Sequence, residues 1–306
     1  MQAIGQIEKA ITWRVGVDVI RVISHYYQTP MRAIIKHTGI NNNWFTLYIV
    51  RGTEPEVFTL NRYQQLYPHI AKDQLQQKLN DLTEQGFLSV DPLDAYRLTK
   101  TGRKAIERTM QMAHREMGKI RALPYQEMQY LADLLHRIVI NSIQFNLPIE
   151  KHMMKISRWT DVGEFAPMTT RIEQYLTDLK RYRHDAKIAS WQQHYIEGEV
   201  WETFTMICEE KADTTTALDD LLQAHGHERI TLAHALQSLE QRGWITKSDL
   251  PNQYHITELG HIVYDEATHM TDQYFYAGWL CLSEKELQDL HYLLLQLHDT
   301  LQQAAA

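Results

Sequence analysis

The segment "HIAKDQLQQKLNDLTEQG" spaces Leu75, Leu79 and Leu82 at helical intervals among polar side chains. That pattern is one narrow apolar stripe on a helix, and Gly86 behind it suits the left-handed residue that ends one. "FLSV", a turn at "DPLD" and "AYRLT" then predict two short strands joined by a tight loop. Upstream, a helix over about 13–27 should stop before Thr29-Pro30, because proline disfavours helical geometry in the residue preceding it. A second short helix follows; "NNNWFTLYIV" opens another behind a capping asparagine, and "PEVFTLNRYQQLYP" reads as a short helix closed by Pro68. Thr99 to Gly102 leads into a long helical run to about 119, and "LPYQEMQYLADLLHRIVINSI" supplies a final amphipathic helix.

Then the plan restarts. Residues 146–167, with Pro148, Pro167 and the loosely patterned "RWTDVGEFAP", read as a linker. After them come a long helix over about 168–195, a helix at Trp201, "ALDDLLQAHG", "ERITLAHALQSLEQRG", a hairpin and two closing helices. The two halves match in register: Trp44 falls on Trp201, Leu75 on Leu232, Leu79 on Leu236, Leu82 on Leu239 and Gly86 on Gly243, all 157 residues apart. The offset grows to 158 at Tyr96/Tyr254, Thr99/Thr257 and Gly102/Gly260, as one extra loop residue requires, and to 159 at Leu123/Leu282 and Leu131/Leu290. A period this long implies duplication of a whole domain rather than a solenoid repeat. The 306 residues, 44% of them hydrophobic, accommodate two such cores: a first unit over 1–145 and a second over 168–306.

A short helix, a turn, a helix ending Leu-xxx-Leu-xx-Leu-xxx-Gly, and a hairpin whose return strand reads Tyr-x-Leu/Ile-Thr-x-x-Gly: this order resembles the winged helix-turn-helix. With flanking helices at both ends of each unit, over 14–143 and 171–301, the chain is most similar to the MarR family of bacterial regulators. The resemblance implies a mainly α fold with short β-hairpin wings, built as two tandem winged-helix domains. It implies that Leu79, Leu82, Gly86 and Phe87 belong to a recognition helix and the start of its wing, and that the partner is double-stranded DNA. Family members are normally homodimers joined through their terminal helices. A chain carrying two units is therefore expected to act as a monomer, a covalent pseudo-dimer. The wing tips depart from the family pattern, since "SVDPLDAY" and "TKSDLPNQY" carry no arginine.

Charge redistributes the expected DNA contacts. The net charge of −7 argues against indiscriminate polyanion binding and leaves room for a local basic patch. Over 97–121 there are eight Lys/Arg, including Arg97, Lys100, Arg103 and Lys104, whereas the counterpart 255–279 has none and four acids, Glu258, Asp265, Glu266 and Asp272. The first unit should thus carry most of the phosphate contacts. On its recognition helix Lys72 and Lys78 supply charge, and Gln77 and Asn80, with Gln74 at the border, supply amides that can pair with adenine edges in a major groove. The corresponding candidates in the second unit are Arg229, Thr231, His234 and Gln237. The predicted recognition helices are themselves weakly charged, which favours one alternative: a degenerate winged-helix module that binds another protein rather than DNA.

A small aromatic ligand is the other partner implied by the resemblance, bound between terminal helices and winged domain. The helix "YLTDLKRYRHDAKIASWQQHY" offers Tyr182, Arg183 and Trp191 as its wall; the competing reading is a helix that packs the two halves together through aromatic core contacts. His225-x-His227 with His234 nearby is the best form of a metal site among sixteen histidines, but no HExxH or Cys/His finger spacing accompanies it, and no metal or cofactor is expected. No phosphate loop, nucleophile elbow or paired-carboxylate signature supports catalysis, so the chain is not read as an enzyme. Two cysteines without CxxC spacing fit a reducing cytoplasm, and no stretch offers eighteen uninterrupted apolar residues for a membrane span.

Overall fold

Leu75, Leu79 and Leu82 are all fully buried. Their helix and its surroundings are seen in a computed structural model that describes residues 2–40 and 43–305. Thirteen helices and two separate antiparallel hairpins make up the described chain. In the first half the order is α1 (Gln2–Thr38), α2 (Trp44–Thr53), α3 (Leu60–Leu66), α4 (Lys72–Glu84), β1 (Leu88–Val90), β2 (Tyr96–Leu98), α5 (Lys100–Met117) and α6 (Tyr125–Gln144). A short α7 (His152–Trp159) follows. The second half runs α8 (Met168–Gln192), α9 (Gly198–Cys208), α10 (Thr215–Ala224), α11 (Arg229–Gln241), β3 (Ile245–Lys247), β4 (Tyr254–Ile256), α12 (Glu258–Ala277), a single 3-10 turn, and α13 (Glu284–Ala305).

Local chemistry explains the punctuation. Gly86 and Gly243 take φ of 75° and 70°, and the chain folds back so that Phe87 N donates to Leu82 O at 2.9 Å and Trp244 N to Leu239 O at 3.0 Å. These are the left-handed helix stops the glycines predict. The hairpins pair Ser89 with Arg97 and Thr246 with His255. Thr99 and Thr257 then cap α5 and α12: each hydroxyl accepts from the amide of a glycine three residues on, Gly102 or Gly260, at 3.0 Å. The same hydroxyls donate back to Gly86 O at 2.7 Å and Gly243 O at 2.6 Å. One threonine thus ties helix stop, hairpin and next helix together.

Three apolar clusters result. One is built from α2–α5 and the first hairpin, joined by Ile35 of α1 and Met153 and Ile156 of α7, with Phe58, Leu66, Leu75 and Ile106 fully buried in it. Another is built from α9–α12 and the second hairpin, with Trp191 of α8, around Phe204, Leu232 and Leu239. The third is shared between the halves: α1, α6, α8, α12 and α13 all contribute, through residues such as Val19, Leu135, Leu179, Phe275 and Leu297.

Two expected boundaries are corrected. α1 does not stop before Pro30 but continues through it to Thr38. Proline removes one helix hydrogen bond, and burial on both sides outweighs that loss, with Val22 and Ile23 in the shared cluster and Ile35 in the first-half cluster. Residues 146–167 are not simply a linker, because α7 lies within them and buries Met153, Met154 and Ile156 against α2 and α8. Eight residues are too few for a helical period to stand out in sequence. Of the capping asparagines expected before α2, Asn41 and Asn42 fall outside the described residues. Asn43 stands at the N-cap position without a side-chain cap bond and instead donates to Asp81 Oδ2 at 3.4 Å.

Candidate nucleic-acid interface

α4 buries its leucine stripe and turns Lys72, Gln77 and Asn80 to solvent, while Gln74 and Lys78 are half-buried. The outward amides are organised by one another and by neighbours: Gln77 donates to Asp81 Oδ1 at 2.7 Å, and Gln76 donates to Asn80 Oδ1 at 2.8 Å and lies 2.7 Å from the Tyr96 hydroxyl. Burial lowers the Lys78 amine below the usual lysine range. On α11, Arg229, His234 and Gln237 are exposed and Thr231 is half-buried; Arg229 Nε is held 3.0 Å from Asp219 Oδ2.

The basic segment divides by face. Lys100, Lys104 and Arg108 recur every four residues along α5 and are exposed, so they form one cationic stripe beside the exposed Arg97 of β2. No acid lies within ion-pair distance of these four among the described residues, whereas Arg115 and Lys119 further along share Glu116. Arg103 points the other way. Its Nη2 donates to Glu54 Oε1 at 2.6 Å, and Glu54 also accepts from Arg51 Nη1 at 2.6 Å. The expected role of Arg103 as a free phosphate contact is corrected on that ground, since its guanidinium is held by a carboxylate that also pairs with Arg51 and joins α2 to α5. On the corresponding face of α12, Glu258, Asp265 and Glu266 are exposed instead.

The expected aromatic wall is a packing surface. Tyr182 is fully buried in the shared cluster, its hydroxyl 2.9 Å from the carbonyls of both Leu147 and Tyr274. Trp191 is buried against Trp201, the rings stacked at 6.0 Å and 13°. Arg183 donates to Asp272 Oδ1 at 2.8 Å with its guanidinium 5.0 Å from the Phe275 ring centre. Tyr182 and Trp191 therefore present no ring to a ligand: α8 touches both halves, so nearly every face of it is covered.

Open space lies one turn away on each side of that helix. A cavity of about 380 Å³ opens between α1, α8, α9 and α12, with Lys180, Arg183 and Lys187 beside Trp13, Trp201 and Tyr264. A smaller one of about 220 Å³ lies between α1, α2, α5 and α8, lined by Tyr27, Phe45, Tyr48, Glu173 and Arg181. In the latter the Arg181 guanidinium stands 4.8 Å over the Phe45 ring, and its Nε is buried without a hydrogen-bond partner among the described residues. Burial raises both the Glu173 carboxyl and the Tyr27 phenol that donates to it at 3.3 Å, while the nearby Arg181 acts against the rise at Glu173. Arg181 lies beside Arg183 in the helix that the sequence offers as a ligand wall, but its lack of a partner depends on what three other helices leave unpaired.

The two halves also meet where α4 and α11 begin. Ala71 N donates to His225 O at 2.9 Å, Gln74 Nε2 to Ala224 O at 3.2 Å, and His227 Nε2 lies 2.8 Å from His69 O. Gln74 is thus already engaged and is not free to read a base. His225 and His227 belong to this contact and His234 to the exposed face of α11; among the described residues no three His, Cys, Asp or Glu side chains converge to hold a metal ion.

The class defined by this architecture is a mainly helical protein with two antiparallel hairpins, each following an amphipathic helix. Among the described residues no helix is long and apolar enough to cross a membrane. The chain matches no protein-family model, no curated protein and no solved structure.

Proposed function

We propose that the protein is a cytoplasmic DNA-binding transcriptional regulator of MarR-like type, built from two winged-helix units of common origin in one chain. The observation that supports it most is the recurrence in each half of two helices, a glycine stop and a hairpin, with the polar face of the second helix, α4 or α11, left in solvent. In the first half an unpaired cationic stripe on α5 follows the hairpin. A helix of this kind enters a major groove through its N-terminal residues while neighbouring cations hold the phosphates.

Arg97, Lys100 and Lys104 are assigned the phosphate contacts, with Lys72, Gln77 and Asn80 facing the groove. Arg229, His234 and Gln237 face it from the second unit, whose acidic α12 weakens its hold. Each neutralised phosphate adds about 0.9 to the slope of log affinity against log salt. Fluorescence anisotropy on a selected duplex should therefore lose roughly 1.8 from that slope when Lys100 and Lys104 are both changed to alanine. Arg103→Ala should change it by less than half as much as either single lysine, and Glu258→Ala with His261→Ala should leave it unaltered. Equal losses from all of these would refute the assignment; no affinity at low salt would hand the protein to the alternative of a winged-helix module for a protein partner.

The small aromatic ligand belongs in this reading at the Arg181 cavity rather than at Tyr182 and Trp191. An aromatic carboxylate could place its charge on the unpaired guanidinium and its ring among Phe45 and Tyr48. Ligands that bind only the folded state raise the melting temperature by mass action. Benzoate-type acids at millimolar concentration should do so for the wild type and not for Arg181→Gln. A wild-type curve that does not move would remove the effector.

A further inference from the structure

The turn between α3 and α4, residues 67–71, is gripped from three directions by the second half. From α8, His184 Nε2 lies 2.9 Å from Leu66 O. From α9, the first helical residue Gly198 lies so close that a Cβ there would collide with the Pro68 carbonyl. From the α10–α11 turn come the bonds of His225 and His227 described above, and Gly226, where a Cβ would stand 2.6 Å from that of Gln74. His69 sits at the centre, its ring 5.3 Å from that of His225 and 6.2 Å from that of Tyr67. His225 Nδ1 in turn contacts Glu202 of α9 at 2.8 Å.

This contact limits the distance between α4 and α11. Ala71 immediately precedes α4, and His225 lies four residues before Arg229, the first residue of α11. With at most about 3.6 Å per residue and one hydrogen bond between them, Lys72 and Arg229 cannot be more than roughly 25 Å apart. Two recognition helices in successive major grooves stand about 34–36 Å apart. The units as clasped hold the N-terminal ends of the two helices, the ends that enter a groove, closer together than that spacing.

We propose that the histidine-lined contact is an autoinhibitory clasp, holding α4 and α11 too close together to engage DNA as a pair, and that protonation of the cluster releases it. The part concerning DNA rests on the regulator reading; the clasp itself does not. His69 carries the argument because a second positive charge has no outlet there. The groups that bear on it are His184 and Lys187 from α8, His225 and His227 from the α10–α11 turn, and Glu202 of α9, which is already paired with His225. Burial first, and then the neighbouring histidines and Lys187, depress His69 to about 4. Burial also lowers His184. A base whose pKa is depressed in the closed form and ordinary in the open form stabilises closure fully above the open-form value of about 6.5. That stabilisation is lost progressively as pH falls toward 4.

For His69 alone, lowering the pH from 7.5 to 5.5 should raise the ratio of open to closed molecules about tenfold. Spin labels on Glu84→Cys and Gln241→Cys, both exposed, in a Cys208→Ser, Cys281→Ser background give the separation of the two helices by pulsed electron resonance. At pH 5.5 a population at least 10 Å longer should appear, on the order of the gap between the clasped and groove-matched spacings. His69→Gln, which cannot take up the proton, should suppress it. Gly198→Ala should produce the long population at pH 7.5 by wedging the turn away. Identical distance distributions at both pH values, an undiminished response in His69→Gln, or loss of helical circular dichroism over the same range would each overturn the clasp. Anisotropy with duplex DNA separates the two readings: Gly198→Ala that opens and binds DNA more tightly supports both, whereas one that opens without any DNA affinity retires the regulator reading and leaves the clasp standing.

Discussion

Replacing Phe275 with alanine will lower the unfolding free energy by about 3–5 kcal/mol, the range for a large aromatic removed from a packed core. The ring is fully buried, with ring centres at 4.8 Å to Trp13, 4.9 Å to Tyr276, 5.8 Å to Trp279 and 6.2 Å to Tyr182. Those partners come from α1, α8, α12 and the turn after α12, so the void would open where the two halves of the chain are joined. It would also remove the face over which the Arg183 guanidinium lies. Surrounding aromatics are stiff and cannot collapse to fill such a space, which places the cost in the upper part of the range. Urea unfolding followed by tryptophan fluorescence measures it, with Leu280→Ala as the comparison: Leu280 is 72% exposed and its truncation should cost less than about 0.5 kcal/mol. A Phe275 effect no larger than that of Leu280 would mean that the halves are not joined through this core.

Asp185→Ala should destabilise by roughly 2–6 kcal/mol, because two buried amides lose their only acceptor at about 1–3 kcal/mol each. The carboxylate accepts from Met153 N at 3.0 Å and Met154 N at 2.9 Å, the first turn of α7, from a position on α8 in the other half. It is a helix cap supplied from more than thirty residues away in sequence. Burial pushes Asp185 up to about 7, against the opposing effect of the two amides. A carboxyl whose folded pKa lies above the unfolded one is protonated more readily in the folded protein, so Asp185 adds stability as pH falls through 7. That increment is complete below the unfolded value near 4 and absent well above 7. The gap between wild type and Asp185→Ala should therefore widen from pH 8 to pH 5. A gap that does not change across this range would show the carboxyl to be as easily ionised as in water.

Much of the fold can be read from residues close together in the chain. Leu75, Leu79 and Leu82, Gly86 and Thr99 specify a helix, its stop and the cap of the next helix within 25 residues, and Leu232, Leu236, Leu239, Gly243 and Thr257 do so again. What escaped are the elements whose reasons lie elsewhere. α1 passes through Pro30 because distant helices bury it on both sides of that residue, and α7 holds because Asp185 caps it.

The candidate interface divides along the same line. Which positions on α4 and α11 face outward follows from the period of a helix, and the charge contrast between α5 and α12 is written in the composition of the two segments. Which of those side chains remain free was decided only by tertiary structure. Arg103 is taken by Glu54, 49 residues away, Gln74 by the Ala224 carbonyl, 150 away, and Tyr182 and Trp191 by a core that both halves build. The physical reason is one of range. Hydrophobic periodicity and capping act between residues a few positions apart and leave their mark on the local pattern. The competition of a buried polar group for a partner is resolved only when remote segments have packed.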